Sequence, residues 1–453
     1  MNVLLFNPSW GASVRQQRYN RSWPPLDLLN VAAILRRDGL GVSFLDARAF
    51  DTPPEYFKKE VNRADRVLVS TSPLDRWQCP NIGLDPLIRW TELIPPEKLI
   101  LYGAHGTIFP EETMGRTGAR IILRGEPEAS VLALFRALER GKEALSSTPS
   151  LSFVHGTQVR HTPAASPADL AALPLPAYDL TQPSGYEYEV LGRPLAVLET
   201  ARGCPHRCTY CLKTMYGRSL RHKPVEQVEG EVEGVFRLGY RFIYFMDLEF
   251  TLDRSRVVNL CRMLRRFQLQ WCCQTRVDAV DPELLREMAS SGCRLIHYGI
   301  ESGSPETIER IGKKIATFQI ENAIRWTKAA HIATAAFFLL GFPWETGRAR
   351  RETERFARRL NPTYASFHFV TFYAGTELAG PTSERQPWWV QEPTHDADEG
   401  LLRRAYLRYC LRLPYAKELF LNGRNRLSAI GLFLRFLRGL SSSPMSADST
   451  HKG

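Results

Sequence analysis

Residues Leu195-Ala-Val-Leu-Glu199-Thr-Ala-Arg-Gly203-Cys204-Pro-His-Arg-Cys208-Thr-Tyr-Cys211 run from a short apolar strand pattern into a loop with three cysteines at C-x3-C-x2-C spacing. Thiolates are soft ligands that suit iron–sulfur clusters. A four-iron cluster takes four ligands and this loop offers three. One iron is then open to something else, such as the amine and carboxylate of a small molecule. A zinc site would want a fourth Cys or His near by. His206 is the candidate, but it sits inside the tight x3 loop, where reaching the same ion is awkward. Chance packing of three core cysteines is the weaker alternative, because Pro205, His206 and Arg207 make a poor core.

Beyond this loop, strand patterns at Phe242–Met246, Trp271–Thr275, Leu295–Ile300, Ala335–Leu340 and Ala365–Phe372 follow the first one at Leu195–Glu199. Helical spacing fills the gaps, at Val225–Leu238, Arg254–Phe267, Pro282–Ser290 and Thr317–Ala330. The pattern predicts a βα array, open or closed into a partial (β/α) barrel, with its chemistry at the carboxyl ends of the strands. Asp247, Glu249, Arg276, Glu301 and Ser302 lie there. Each residue also has a plainer role available. The carboxylates could be solvated strand ends, Arg276 could pair with Asp278, and Glu301 could cap a helix starting near Ser304-Pro305.

Upstream, strand runs at Val3–Phe6, Val42–Leu45, Asp65–Ser70, Lys98–Tyr102 and Ala119–Leu123 leave room for crossovers, one of them helical over Leu26–Arg37. Short buried strands separated by helices predict an α/β, doubly wound parallel sheet of Rossmann-like type. Such sheets bind ligands at strand ends. Here the ends read Ser70-Thr71-Ser72, Gly103-Ala-His105-Gly106 and Gly125-Glu126, with glycines that let a ligand approach the backbone. No G-x-G-x-x-G follows the first strand, which argues against a nicotinamide site. The predicted organisation is a first domain over 1–141, a linker over 142–188 with a hairpin across His155-Gly156, the barrel over 189–380, and a helical basic tail over 381–453.

The chain has 453 residues, 44% hydrophobic and 24% charged. That is ordinary globular composition for two or three domains of about 150 residues each. With 59 Lys and Arg against 48 Asp and Glu, the net charge of +11 suggests anionic partners, or simply a basic surface. No DNA-reading motif or aromatic-basic RNA platform is present, so nucleic acid is not expected. No apolar run is long enough for a spanning helix. Met1 to Pro8 reads as a first strand and not as a secretory signal. Nine cysteines without an export signal predict a reducing, cytoplasmic setting. Cys261, Cys272, Cys273 and Cys293 fall in strand or helix patterns as packing residues, and Cys79 and Cys410 are isolated. In the tail, Ser428, Gly431, Arg435 and Arg438 share one helical side between apolar residues. That suits a peripheral helix on an anionic membrane, or equally a helix packed over the barrel mouth. Ser441 to Gly453 reads as a disordered end.

With Tyr210 before its last cysteine, the loop resembles the signature of the radical S-adenosylmethionine (SAM) superfamily. Further matches follow in register. Phe245-Met-Asp247-Leu-Glu249-Phe-Thr251 resembles the family's acidic strand end, and Gln274-Thr-Arg276-Val-Asp278 its Arg-x-Asp strand. Tyr298-Gly-Ile-Glu301-Ser302-Gly303 is similar to its Gly-Ile-Glu-Ser-Gly turn. Leu340-Gly341-Phe-Pro343-Trp344-Glu345-Thr346 is similar to Gly-x-Pro-Gly-Glu-Thr, with Trp344 in place of glycine. Phe372-Tyr-Ala-Gly375-Thr376 echoes a Pro-Gly-Thr turn without its proline. The resemblance covers Leu195 to Thr376. It implies a [4Fe-4S] cluster on Cys204, Cys208 and Cys211, with SAM on the unique iron and in contact with Tyr210, Asp247, Glu249, Arg276, Glu301 and Ser302. It also implies an electron donor of flavodoxin or ferredoxin type and cleavage of SAM to a 5′-deoxyadenosyl radical.

Tyr102-Gly103-Ala-His105 and Leu123-Arg-Gly125-Glu126-Pro-Glu128 resemble the cobalamin-binding domain that precedes many radical SAM domains. This resemblance covers Met1 to Gly141 and implies cobalamin against Ser70, Thr71, Ser72, Trp77, Gly103, His105, Gly125 and Glu126. The Asp-x-His-x-x-Gly element that supplies an axial imidazole is absent, so the lower cobalt face would meet Ser72-Pro-Leu-Asp-Arg-Trp77. Loss of a strong axial donor eases methyl transfer. The alternative is a Rossmann-like scaffold without cofactor. Together the two resemblances imply a cobalamin-dependent radical SAM methyltransferase acting on an unactivated carbon, or phosphorus, of a small-molecule or lipid-like substrate. The same domain pair also supports ring closure and oxidative rearrangement. A non-catalytic corrinoid or iron–sulfur sensor is the alternative of another class.

Overall fold

The computed structural model describes residues 1–10, 22–380, 387–388 and 399–422. Its first sheet contains β1 (Asn2–Asn7), β2 (Gly41–Asp46), β3 (Arg66–Ser70), β4 (Leu99–Tyr102), β5 (Ile121–Leu123), β6 (Leu151–His155) and β7 (Gln158–His161). The strand order is β2-β1-β3-β4-β5-β6-β7. β1 to β5 are parallel. Their apolar runs need no alternation because helices cover both faces. Val3, Leu5 and Leu68 pack with Leu28, Val31, Leu35, Leu134 and Phe135 on one face. Leu4, Phe6, Val67 and Val69 pack with Phe57, Val61, Leu87 and Met114 on the other. The hairpin expected across His155-Gly156 forms, and its antiparallel strands extend this sheet from β5. The strand order turns between β1 and β3, the switch point at which open α/β sheets bind ligands.

The second region contains β8 (Leu195–Leu198), β9 (Ala201–Arg202), β10 (Arg221–His222), β11 (Phe242–Phe245), β12 (Gln270–Thr275), β13 (Cys293–Glu301), β14 (Ala333–Leu340) and β15 (Tyr364–Phe369). Six of these form a parallel sheet in the order β15-β14-β13-β12-β11-β8, so each βα step lands beside the last, as in a partial barrel. β9 and β10 pair as a short antiparallel ribbon that frames the cysteine loop. Helices occupy Val225–Arg237, Arg254–Leu264, Pro282–Ser290, Thr317–Ala329 and Gly347–Leu360. Asp253 and Asp281 cap two of them by accepting first-turn amide N–H bonds. His297 on β13 is buried between two phenols, with Nε2 3.0 Å from Tyr188 Oη and Nδ1 2.6 Å from Tyr244 Oη. Trp23 sets its ring edgewise against both tyrosines, with centroids 5.0 Å away.

The carboxyl ends of the two sheets face each other. Arg202 of β9 is fully buried and bonds Glu126 (3.0 Å) and Glu128 (3.0 Å) from beyond β5, and Glu199 (2.5 Å) from beyond β8. Arg221 joins Glu126, and Lys223 joins Glu231 at 2.7 Å. The Tyr216 hydroxyl donates to the Leu74 carbonyl at 2.8 Å. The tail helices Glu399–Cys410 and Leu413–Asn422 pack on the barrel. Tyr409 donates to the Pro362 carbonyl (2.5 Å), Arg408 pairs with Glu354 (2.9 Å), and Lys328 pairs with Glu418 (2.8 Å). As far as residue 422 these helices lie against β15 and the turn before it, at the amino end of the strands and not over the barrel mouth. Ser428, Gly431, Arg435, Arg438 and the 441–453 end lie outside the described residues. Among the described residues no helix is long and apolar enough to cross a membrane.

Asp27 opens the helix Leu26–Arg37 as a fully buried carboxyl. It accepts from Tyr102 Oη (2.5 Å) and the Leu74 amide (3.1 Å). Burial pushes its pKa up to about 7, partly opposed by the Tyr102 bond. The native state therefore holds this proton more tightly than the unfolded chain. That contribution to stability is complete below the unfolded value of 3.8 and is lost as pH rises through about 7. Asp27→Asn removes the titration. Its melting temperature relative to the parent is expected to rise between about pH 5 and about pH 8, an effect on the order of 2–4 kcal/mol. Thermal unfolding across that range checks it, and a constant difference would show that Asp27 does not titrate there.

Candidate active site

The cysteine loop is held at both ends. After β8, Asp247 fixes the turn by accepting the Thr200 amide (2.6 Å) and the Thr200 hydroxyl (2.5 Å). Burial pushes Asp247 up to about 6. Gly203 follows with φ +100°, and a Cβ there would lie 2.1 Å from the Ser219 carbonyl oxygen. Glycine is thus required where the two limbs of the loop cross. Further along, the Thr209 amide donates to the Ile311 carbonyl (3.0 Å) and the Thr209 carbonyl accepts from Leu378 (2.8 Å). Lys213 reaches back to the His206 carbonyl.

Cys204 is buried, Cys208 and Cys211 are half-buried, and none forms a disulfide. Burial pushes the Cys211 thiol up to about 12 and raises Cys204, with Lys213 opposing both. Iron would displace those protons, since thiols bind metal as thiolates. Among the described residues no three His, Cys, Asp or Glu side chains converge on a point for a single ion. A cubane cluster takes each thiolate on a different iron. Three soft thiol donors on one loop fit such a cluster.

Facing the loop, Glu301 stands at a register shift in β13 with φ +68°. Its Oε1 accepts from Tyr210 Oη (2.8 Å) and Lys313 Nζ (2.7 Å). Gly299 leaves the room, because a Cβ there would sit 2.5 Å from that oxygen. Glu301 therefore turns inward and does not cap the following helix, whose N-cap is Ser304. Glu249 accepts from the Thr275 hydroxyl and the Arg276 amide (2.8 Å), and burial pushes it up to about 7. Arg276 forks onto Asp278 through two 2.8 Å bonds and also donates to the Lys313 carbonyl (2.7 Å). Ser302 bonds Thr353 (2.9 Å) and the Ser304 amide (3.1 Å). Tyr210, Glu249, Arg276 and Glu301 thus gather at the loop, while Asp247 and Ser302 hold backbone in place. Sequence reasoning missed Lys313 and Lys213. Lys213 stands two residues past the last cysteine, where a cation beside buried thiols was a readable signal. Lys313, in Ile311-Gly-Lys-Lys-Ile315, carries no local pattern.

At the first sheet, the Thr71 amide donates to the Tyr102 carbonyl (2.8 Å) and Ser72 Oγ accepts the Ala104 amide (2.7 Å). Gly103, with φ +116°, makes room for the protein's own loop, since a Cβ would lie 2.5 Å from Thr71 Oγ1. Ser70 is buried beside them. Gly125, with φ +72°, faces open space. His105 is fully buried, with Nε2 2.9 Å from the Asn81 carbonyl and its ring near Trp10 and Trp388. Burial pushes it down to about 4, so it is a neutral imidazole. Glu126 and Trp77 lie in the seam with Arg202, whose guanidinium is 5.1 Å from the Trp77 ring centroid. Thr71 Oγ1 and Trp77 Nε1 are buried without a protein partner, which fits a polar ligand along the end of β3.

Residues 198–357 match the model of the Radical SAM superfamily. The match runs from the end of β8 into the helix Gly347–Leu360, so the similarity to that superfamily lies in the barrel. It is 28% identical over 389 residues to an uncharacterized methyltransferase of Pyrococcus horikoshii, covering 83% of this chain and 82% of the relative. It is 27% identical to the anaerobic magnesium-protoporphyrin IX monomethyl ester cyclase of Cereibacter sphaeroides, over 83% of this chain but only 63% of that longer protein. The solved radical SAM methyltransferase TsrM from Kitasatospora setae, with cobalamin and a [4Fe-4S] cluster bound, shares the fold. Its TM-score is 0.66 at 20% identity, over 83% of this chain and 77% of that one.

Two left-handed glycines separate steric from conformational demand in this chain. Gly203→Ala adds a backbone clash to strain of roughly 1–3 kcal/mol, whereas Gly125→Ala carries the strain alone. Thermal unfolding is expected to rank Gly203→Ala well below Gly125→Ala, and equal melting temperatures would contradict the loop crossing.

Proposed function

We propose that this chain is a cobalamin-dependent radical SAM methyltransferase, transferring methyl to an unactivated carbon, or phosphorus, of a small-molecule or lipid-like substrate. The observation that carries the reading is the three-thiol loop standing against Tyr210, Glu301 and Lys313, with the strand ends of a switched α/β sheet across the seam. Bound there, a [4Fe-4S] cluster supplies one-electron chemistry on SAM and cobalamin supplies methyl carriage. Cys204, Cys208 and Cys211 would hold the cluster by their thiolates. Glu301 uses Oε1 for Tyr210 and Lys313, which leaves Oε2 for a ligand hydroxyl or ammonium. Lys313 and Arg276 bring positive charge to a ligand carboxylate. Thr71 and Trp77 offer hydrogen-bonding atoms to the corrin, with Ser70, Ser72, Gly103, His105, Gly125 and Glu126 shaping the bed behind them. A flavodoxin- or ferredoxin-type donor supplies the electron, and the basic C-terminal tail is the segment for any peripheral membrane contact.

Ring closure or oxidative rearrangement is the second reading, favoured by the cyclase relative. Anaerobic reconstitution with iron, sulfide and cobalamin, followed by SAM and reductant, separates the two. Methyl transfer predicts S-adenosylhomocysteine together with 5′-deoxyadenosine and a product heavier by one methyl unit. Deoxyadenosine alone favours rearrangement, and intact SAM favours a sensor. Alanine at any of the three cysteines is expected to abolish SAM cleavage and cluster absorption. Glu301→Gln is expected to raise the SAM concentration for half-maximal cleavage by about tenfold, matching about 1.5 kcal/mol for a hydrogen bond to a charged group.

A further inference from the structure

The loop from β3 to the helix Asp85–Thr91 leaves the first sheet and runs to the cysteine loop of the barrel. It is anchored along its length. The Leu74 amide donates to Asp27 (3.1 Å), and Asp75 receives both arms of the buried Arg48 guanidinium (3.0 and 3.1 Å). Trp77 lies under Arg202, and the Pro80 carbonyl accepts from Tyr373 Oη (2.9 Å). The Asn81 carbonyl meets His105 and Trp388 Nε1, at 2.9 and 3.2 Å. From between these anchors the side-chain amide of Gln78 reaches Cys211, with Nε2 3.7 Å from Sγ. A cysteine that ligates iron carries lone pairs and no proton. Only the N–H side of the amide can face it, and the loop anchors hold it there.

Among the cysteines of this loop, Cys204 takes a bond from the His206 backbone, which any sequence would supply. The Cys211 bond is different, because it comes from a side chain of the other domain, 133 positions away. Hydrogen bonds to cluster sulfurs are one of the means by which a protein sets a cluster's reduction potential. The added electron places negative charge on the cluster and its thiolates. A fixed N–H dipole stabilises that charge more in the reduced state than in the oxidised one. Gln78 is neutral, so its contribution does not titrate.

We propose that Gln78 is a positioning residue of the cluster site, whose N–H bond to Cys211 raises the reduction potential of a cluster held by Cys204, Cys208 and Cys211. This rests on the cluster assigned above, and it gives the first domain a direct hold on how readily the barrel's cluster is reduced.

The test is a redox titration of the reconstituted full-length chain, followed by optical absorption and paramagnetic resonance, comparing the parent with Gln78→Met and Gln78→Glu. Methionine keeps the length without a donor, and glutamate replaces the donor with an acceptor. At a fixed donor potential near the parent midpoint, each variant is expected to hold about tenfold less reduced relative to oxidised cluster. That is a midpoint lower by about 59 mV for a one-electron couple. Iron and sulfide per chain and the melting temperature are expected to stay at the parent's values, which a merely structural role would not allow. A parent cluster whose midpoint is unchanged in both variants overturns the proposal alone. Iron lost from both variants overturns it too, because a bond that only sets a potential is not needed to hold iron. A parent chain that takes up no cluster overturns the proposal together with the functional reading beneath it.

Discussion

Arg202 is the residue on which the rest of the molecule turns. Its guanidinium is fully buried and lies between carboxylates of two sheets: Glu126 and Glu128 from the first, Glu199 from the second. Taking these charges out of water costs several kcal/mol per ion, recovered only when the geometry is complete. Glu128 shows the balance: burial pushes its carboxyl up, and Arg202 more than offsets this and holds it below its ordinary value. Arg221 and Lys223 bring two further cations, and Glu231 a fourth carboxylate that burial pushes up. Removing one member would strand the others, at about 3–5 kcal/mol. The chemical register between the domains is therefore fixed one residue before Gly203 and two before Cys204.

That register explains how the site is assembled. Each sheet contributes only its strand ends, which are polar and short. Once Arg202 joins them, the loop beyond β3 lies against the loop beyond β8, and Tyr216 can bond Leu74. Lys313 closes the other side by bonding Glu301 and Tyr210 together. The acids left inside are held largely by hydroxyls and amides, which is why burial dominates Asp247 and Glu249 and leaves them near neutrality.

The strands and the cysteine loop were legible because their information is local. Buried parallel strands are continuous apolar runs, and the three cysteines and Tyr210 lie within eight positions of one another. The hairpin at His155-Gly156 was legible for the same reason, though not the sheet edge it joins. The seam was illegible because its partners are far apart in the chain. Glu126 reads from sequence as a strand-end contact for a cofactor, yet it takes Arg202 and Arg221, which lie 76 and 95 positions on. Gly103 reads as room for a ligand, and the space beside it is filled by Thr71 and Ser72. Gln78 and Lys313 carry no periodicity at all, so only the folded loops reveal them.

Glu301 keeps a left-handed backbone that non-glycine residues adopt reluctantly. Glycine or asparagine would relax that position by roughly 1–3 kcal/mol but strand the buried Lys313 ammonium, at about 3–5 kcal/mol. A screen for heat resistance would therefore tend to keep the carboxylate at this codon despite its strained backbone, and further stabilisation is better sought on the helical exterior.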